Sequence, residues 1–257
     1  MREEVSPRDR FVTVYGFRPV LAALADDRLS IDKVLVAEGA RGPSLREIVA
    51  AADARAVPVR RVPPHRLTLL SGNPRHDNGV LADVVAPRMR TLATALEARP
   101  HERPQTILVL DGIKTPANVG MILRTATAAG LDGVVVPHRG VADLDPLVVK
   151  ASAGVAFHAP VLRCDTAEEA AERLVEAGYT LVGLAADGSE SLFEAEIPSP
   201  VAFFLGGETD GVSPAARAYI GAWVSIPMPG DVESLNVASA AAVVAFEVVR
   251  RRLTVRA

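Results

Sequence analysis

The second half of this chain alternates short, unbroken apolar runs with segments of helical spacing, and this restricts the fold more than any other feature. "TILVLDG" at 106–112, "GVVVP" at 133–137, "YTLVGLAA" at 179–186 and "VAFFLGG" at 201–207 are too short for helices and too continuous for strands with one wet face. Between them lie "ANVGMILRTATAAG", "DPLVVKASAG" and "TAEEAAERLVEAG", whose apolar residues recur at helical intervals. "AFHAPVLR" and "AWVSIPM" read as further strands, "SPAARAYIG" as a short helix, and a long apolar helix closes the pattern from about 236 to 252. Strands that are apolar on both faces need helices over both faces, so the expectation is α/β with a mainly parallel sheet.

The first part of the chain is a smaller unit of the same class. "VYGFRPVLAAL" has helical spacing, "DKVLVAEG" reads as a strand, "SLREIVAAADARA" as a helix opened by Ser44, and "VPVRRV" and "NGVLADVVA" as two more strands. Pro87, Pro100 and Pro104 then punctuate a mixed-charge stretch that suits a linker holding one short helix in "RTLATALEA". The expected organisation is an N-terminal domain over 1–86, a linker over 87–105 and a C-terminal domain over 106–257.

Charge divides along the same line. The net charge of −3 hides 16 Lys and Arg against 12 Asp and Glu in residues 1–100, or +4, and 12 against 19 afterwards, or −7. Fifteen of the first sixteen cations are Arg, whose forked guanidinium suits phosphate contacts, so the N-terminal domain is the face for a polyanion. Cys164 is the only cysteine, which rules out an intramolecular disulfide and a cysteine metal cluster and fits reducing conditions. "MREEVSPRDRF" lacks the apolar core of a signal peptide, and the run 237–249, broken by Ser239 and Glu247, falls short of a membrane span. A cytoplasmic location without membrane attachment is expected.

In open parallel sheets ligands sit beyond the carboxyl ends of strands. Four turns there carry polar or small residues. "DGIKTPANVGMILRTA" offers Asn118 as a helix cap and Arg124 six residues on; "LVGLAADGS" carries Asp187 and Gly188; "FFLGGETDGVSP" puts Gly206 and Gly207 before Glu208; and "SIPMPGDVESLNVASA" sets Ser234, Leu235 and Asn236 at the mouth of the last helix. No dinucleotide-binding glycine pattern, phosphate-binding loop or serine elbow is present, and the five scattered histidines have no metal-ligand spacing, so no metal is expected.

"NVGMILRTATAAG", "LGGETDGV" and "SIPMPGDVESLNVASA" together resemble, in order and interval, the three signature motifs of the SpoU-type, or TrmH-like, RNA ribose 2′-O-methyltransferases. The resemblance spans about residues 107–252. It implies a trefoil-knotted catalytic domain, S-adenosyl-L-methionine as methyl donor, and a homodimer formed through the knot. By the same resemblance Gly206, Ile226 and Leu235 bind the donor, with Leu184, Gly207, Met228 and Asn236 completing the pocket. Asn118, Arg124, Glu208, Ser234 and Asn236 match the positions used for RNA and catalysis. Ala238 stands where many members have serine.

"YGFRPVLAAL" through "HDNGVLADVV" is similar to the ribosomal-protein-like RNA-binding domain of the rRNA-modifying members, which marks Arg18, Arg75 and His76 as RNA contacts. Together with the short C-terminal tail, this points to large-subunit (23S) ribosomal RNA as substrate. A tRNA 2′-O-methyltransferase, an antibiotic-resistance rRNA methylase, a catalytically silent assembly factor and a small-molecule-binding α/β protein are the alternatives.

Overall fold

The computed structural model describes residues 9–230 and 232–255 of the 257. Most of the charged N-terminal stretch, residues 1–8, therefore lies outside the described residues.

The N-terminal unit runs β1 (Phe11–Tyr15), α1 (Phe17–Ala25), β2 (Ile31–Ala37), α2 (Pro43–Ala54), β3 (Val59–Val62), α3 (Pro64–Ser71) and β4 (Val80–Val85). Its sheet has the order β1-β4-β2-β3, antiparallel except for β2 with β3. Two elements here were not expected. The "VY" read into the first helix belongs to β1, and α3 follows two prolines that pre-set its first turn. Helix α2 is entered from Gly42 with Pro43 in its first turn, so Ser44 lies inside the helix rather than opening it.

The segment expected as a linker carries β5 (Arg90–Thr91) and α4 (Leu92–Glu97). Beyond it come β6 (Thr106–Leu110), α5 (Pro116–Ala128), β7 (Gly133–Val135), α6 (Pro146–Ala151), β8 (Val161–Arg163), α7 (Ala167–Glu176), β9 (Thr180–Leu184), β10 (Glu190–Ser191), β11 (Val201–Leu205), α8 (Pro214–Arg217), β12 (Ala222–Ser225) and α9 (Val237–Val255). The strands form an eight-stranded sheet, β10-β12-β9-β11-β6-β7-β8-β5, in which every pair is parallel. The α/β expectation with a mainly parallel C-terminal sheet therefore holds. "AFHA" is a 3-10 turn at Val155–Phe157 and not strand; pairing begins only at Val161.

Alternation along the strands sorts the core into two layers. Ile107, Val109, Ala202 and Phe204 face α4, α7 and α8. Leu108, Leu110, Phe203 and Leu205 face the α5 and α9 side, in a buried cluster continuous with the core of the N-terminal unit. Cys164 lies in the first layer, where burial pushes its thiol up to about 12. It stays a neutral, packed side chain at physiological pH.

His138 joins the start of the described chain, at Asp9, to the end of β8. Its Nδ1 lies 2.7 Å from Arg163 Nη2, and a guanidinium can only donate. Nδ1 therefore accepts, and Nε2 carries the proton toward Asp9 Oδ1 at 2.9 Å.

Helix α9 is pinned toward its C-terminal end by polar groups gathered around buried Glu247. Glu247, 5% exposed, accepts from Arg250 at 2.7 and 2.8 Å and from Arg251 at 2.7 Å, while Arg251 also donates to Ala195 O at 2.8 Å. Arg252 reaches Gly130 O at 2.9 Å and Asp132 Oδ2 at 3.0 Å. The Arg250 hydrogen bonds, then those of Arg251, hold the Glu247 carboxyl below its ordinary 4.5. A depressed carboxyl stabilises the fold fully above the unfolded value and loses that contribution as pH falls through the folded one, so this part of the stability drains below about pH 4.5. Glu247→Ala is expected to cost about 2 kcal/mol at neutral pH, because charge-assisted bonds to a buried group are lost. Thermal melts at pH 7 and pH 4 test it: the difference between variant and parent should shrink at the lower pH.

Among the described residues no helix is long and apolar enough to cross a membrane.

Candidate active site

Sheet order places the site. From β6 the chain adds β7 and β8 on one side, whereas β11, β9 and β12 lie on the other, so the strand order reverses beside β6. Carboxyl ends of strands at such a reversal leave a crevice. Here the turns after β9, β11 and β12 wall a cavity of about 680 Å³.

The turn after β11 sets its shape. Gly207 and Gly211 exchange two backbone hydrogen bonds of 3.0 Å, closing a small loop around Glu208, Thr209 and Asp210. Gly206 lies hard against that loop: a Cβ there would stand 2.0 Å from Gly211 C and 2.2 Å from Val212 N. Only glycine fits this approach. Asp111, at the end of β6, accepts from Ser213 N at 2.7 Å and fixes the far side of the loop.

All seven residues expected to bind the donor, Leu184, Gly206, Gly207, Ile226, Met228, Leu235 and Asn236, line this one cavity, as do Glu208 and Ser234. Among the described residues the main-chain N–H groups of Ile226, Met228 and Leu235 have no acceptor. The wall thus combines apolar side chains with uncommitted main-chain donors, and its volume falls within the roughly 300–1,000 Å³ of small-molecule sites.

Asn118 does not cap its helix. Thr115 precedes α5 and Pro116 starts it, so Asn118 sits in the first turn, 4% exposed. Its amide Nδ2 donates to Glu208 Oε1 at 2.7 Å, and its Oδ1 accepts from Asn236 Nδ2 at 3.1 Å. Asn236 Nδ2 also lies 3.3 Å from Glu208 Oε1. The other end of Asn236 accepts from Ala238 N at 2.8 Å, which caps α9. One side chain therefore starts the last helix and joins three turns into a polar cluster. Ala238 is buried at 6%, and the hydroxyl of Ser239, next along, belongs to an exposed residue.

Arg124 stands apart from this cluster. It is an exposed residue of α5, six positions or about 9 Å along the helix from Asn118, and does not line the cavity. Three further wall residues, Asp210, Arg217 and Trp223, carry chemistry that the sequence pattern did not single out, and Asp187, named there only as part of its turn, joins them.

In the N-terminal unit the Gly16 N–H donates to Val80 O at 3.0 Å, which sets the start of α1 beside the 73–79 turn. That turn is held by buried Asp77, which accepts from Ser71 Oγ and Gly79 N at 2.9 Å each. Arg18, Arg75 and His76 are all exposed there, His76 with its Nδ1 2.9 Å from Asn73 Oδ1. Among the described residues no group of three or more His, Cys, Asp and Glu is placed to hold a metal ion.

Residues 105–246, more than half of the chain, match the SpoU rRNA Methylase family. The chain belongs to that family. Residues 13–90 match a second family, described as RNA 2′-O ribose methyltransferase substrate binding. A protein of Xanthomonas campestris pv. campestris named 23S rRNA (guanosine-2′-O-)-methyltransferase RlmB is 36% identical over 243 residues, covering 93% of this chain and 96% of that one. The crystal structure of the SpoU methyltransferase AviRb from Streptomyces viridochromogenes, in complex with the cofactor AdoMet, is similar with a TM-score of 0.61 at 27% identity, over 94% of this chain and 90% of that one. A crystal structure of an RNA 2′-O ribose methyltransferase gives 0.59 at 30% identity, over 95% and 90%. The SpoU chain described here is accordingly an RNA ribose 2′-O-methyltransferase.

Proposed function

We propose that this SpoU enzyme transfers a methyl group from S-adenosylmethionine to a guanosine ribose 2′-hydroxyl of 23S ribosomal RNA, in the cytoplasm. The observation that carries the reading is the meeting of three sequence-distant turns, after β9, β11 and β12, around one cavity whose rim holds the Asn118–Glu208–Asn236 cluster. The substrate is carried over from the 23S rRNA relative, which is aligned with 93% of the chain.

When bound, S-adenosylmethionine supplies the methyl as an electrophilic carbon on a sulfonium. Leu184, Ile226 and Leu235 would enclose the adenosyl body, with the main-chain N–H groups of Ile226, Met228 and Leu235 reading its polar edges. Transfer would join the 2′-oxygen to that methyl carbon and release S-adenosylhomocysteine, with the hydroxyl proton passing to bulk solvent. Asn118 and Asn236 hold the Glu208 carboxylate at the rim, and Ser234 lines the same cavity; together they would position the ribose and keep water out. Arg124 carries a guanidinium, which donates hydrogen bonds and accepts none, so its role would be that of a fixed cation beside the developing alkoxide or the neighbouring phosphate.

The same reading assigns 1–86 to substrate binding through Arg18, Arg75 and His76, and 106–257 to a trefoil-knotted catalytic domain. It also pairs two protomers through α5 and α9, on which Met121, Phe246 and Leu253 are exposed at 39, 52 and 64%. In such a pair Arg124, off its own cavity, would serve the cavity of the other subunit.

Labelled methyl transfer to separated ribosomal and transfer RNA, followed by mapping of 2′-O-methyl positions, tests the proposal. Label on a 23S guanosine ribose is expected; label on transfer RNA alone, or none with either, overturns it.

A further inference from the structure

Charges on the cavity wall are unevenly signed. Asp187, Glu208 and Asp210 bring three carboxylates to it, whereas Arg217 is the one cation among the described residues that line it. Arg217 ends α8, and its guanidinium carbon lies 3.9 Å from the ring centroid of Trp223, the chain's single tryptophan. The ring is itself fixed, since it packs over Gly183, where a Cβ would come within 2.4 Å of a ring atom. A guanidinium stacked on indole is attracted by the ring face and needs no carboxylate to hold it. Among the described residues the Arg217 guanidinium makes no hydrogen bond or ion pair, so its five N–H donors are uncommitted. The arrangement is a pre-oriented anion receptor on an otherwise acidic wall.

Building on the reading of this cavity as the donor site, we propose that Arg217, held against Trp223, receives the α-carboxylate of the methyl donor. S-adenosylmethionine carries two cationic groups, its sulfonium and its α-ammonium, and a single anionic one. With Glu208 held at the rim for the ribose, Asp187, Asp210 and Arg217 leave the wall with the inverse set. The lone guanidinium matches the carboxylate and the acids are left to the cations, so charge alone fixes which way round the donor lies. Planar, forked geometry adds a second selection, because a guanidinium can meet both carboxylate oxygens at once.

Calorimetry with two ligands tests this. S-adenosylhomocysteine has the amino-acid tail; 5′-methylthioadenosine keeps the adenosyl thioether and lacks the tail. Wild-type enzyme is expected to bind both, and Trp223 fluorescence should change on binding of either. Arg217→Ala is expected to weaken S-adenosylhomocysteine about tenfold, or about 1.4 kcal/mol, while leaving methylthioadenosine within about twofold. Arg217→Lys should recover part of the loss. Equal losses for both ligands would show that Arg217 merely shapes the wall, and no loss for either, with a raised KM for RNA, would show a phosphate contact; both results overturn the inference. If the wild-type enzyme binds neither ligand, the donor-site reading fails first and takes the inference with it.

Discussion

Gly206→Ala is expected to weaken methyl-donor binding by about 100-fold or more, equivalent to about 2.7 kcal/mol. The reason is geometric. The added methyl would sit 2.0 Å from Gly211 C, 2.2 Å from Val212 N and 2.5 Å from Gly211 O, all main-chain atoms of the loop closed by the Gly207–Gly211 bridge. Backbone cannot rotate away as a flexible side chain would. Relief requires the loop to part from the end of β11, which moves Gly207 and Glu208 and opens the wall on which Gly206, Ile226 and Leu235 converge. Forced overpacking of this kind costs about 1–3 kcal/mol, so the melting temperature should fall by several degrees while the protein stays folded. Donor affinity by calorimetry and a thermal melt measure the two effects separately. Affinity within about threefold of wild type would show that the close approach at Gly206 has no part in binding.

Arg124→Ala is expected to lower kcat by about 10²–10³, the usual loss when one preorganised donor to a developing oxyanion is removed. Donor affinity should be unchanged, because Arg124 is exposed and lies off the cavity wall. Arg124→Lys keeps the charge and loses the fork, and should recover only part of the rate. Single-turnover methylation of RNA alongside donor titration separates these effects. Full activity in the lysine variant would end any role for the forked guanidinium. If two subunits cooperate as proposed, mixing Arg124→Ala with Gly206→Ala protein should restore some activity that neither has alone.

The large sheet was legible in the sequence because burial on both faces leaves unbroken apolar runs, and "TILVL" and "VAFFL" became the central strands β6 and β11. The two-residue strands β5 and β10 carry no periodicity to read. Helix starts were misplaced where proline outweighed a polar cap: "GPSL" and "KTPAN" begin their helices at Pro43 and Pro116, and Ser44 and Asn118 fall one and two places inside. For the site, the rule of strand ends picked turns that meet at one cavity, and the family resemblance named residues that line it. Neither could show that Asn118, Glu208 and Asn236 share hydrogen bonds, since they are 90 and 118 positions apart by pair and meet only in the folded chain. The stack of Arg217 on Trp223 was invisible for the same reason: two unremarkable residues, one ending a four-residue helix and one in the following strand, acquire meaning through an angle between elements.

The strand Arg90–Thr91 has an architectural consequence. Although it precedes everything else in the large sheet, it completes that sheet's far border beside β8, and Leu92, Ala95 and Leu96 behind it fill the layer under α7. The joint between the two halves is thus masonry and not hinge. A catalytic half cut free at residue 106 would leave the β8 border bare, ready to recruit whatever strand passes, so the natural seam for dissecting this enzyme lies before Met89 and not after Pro104.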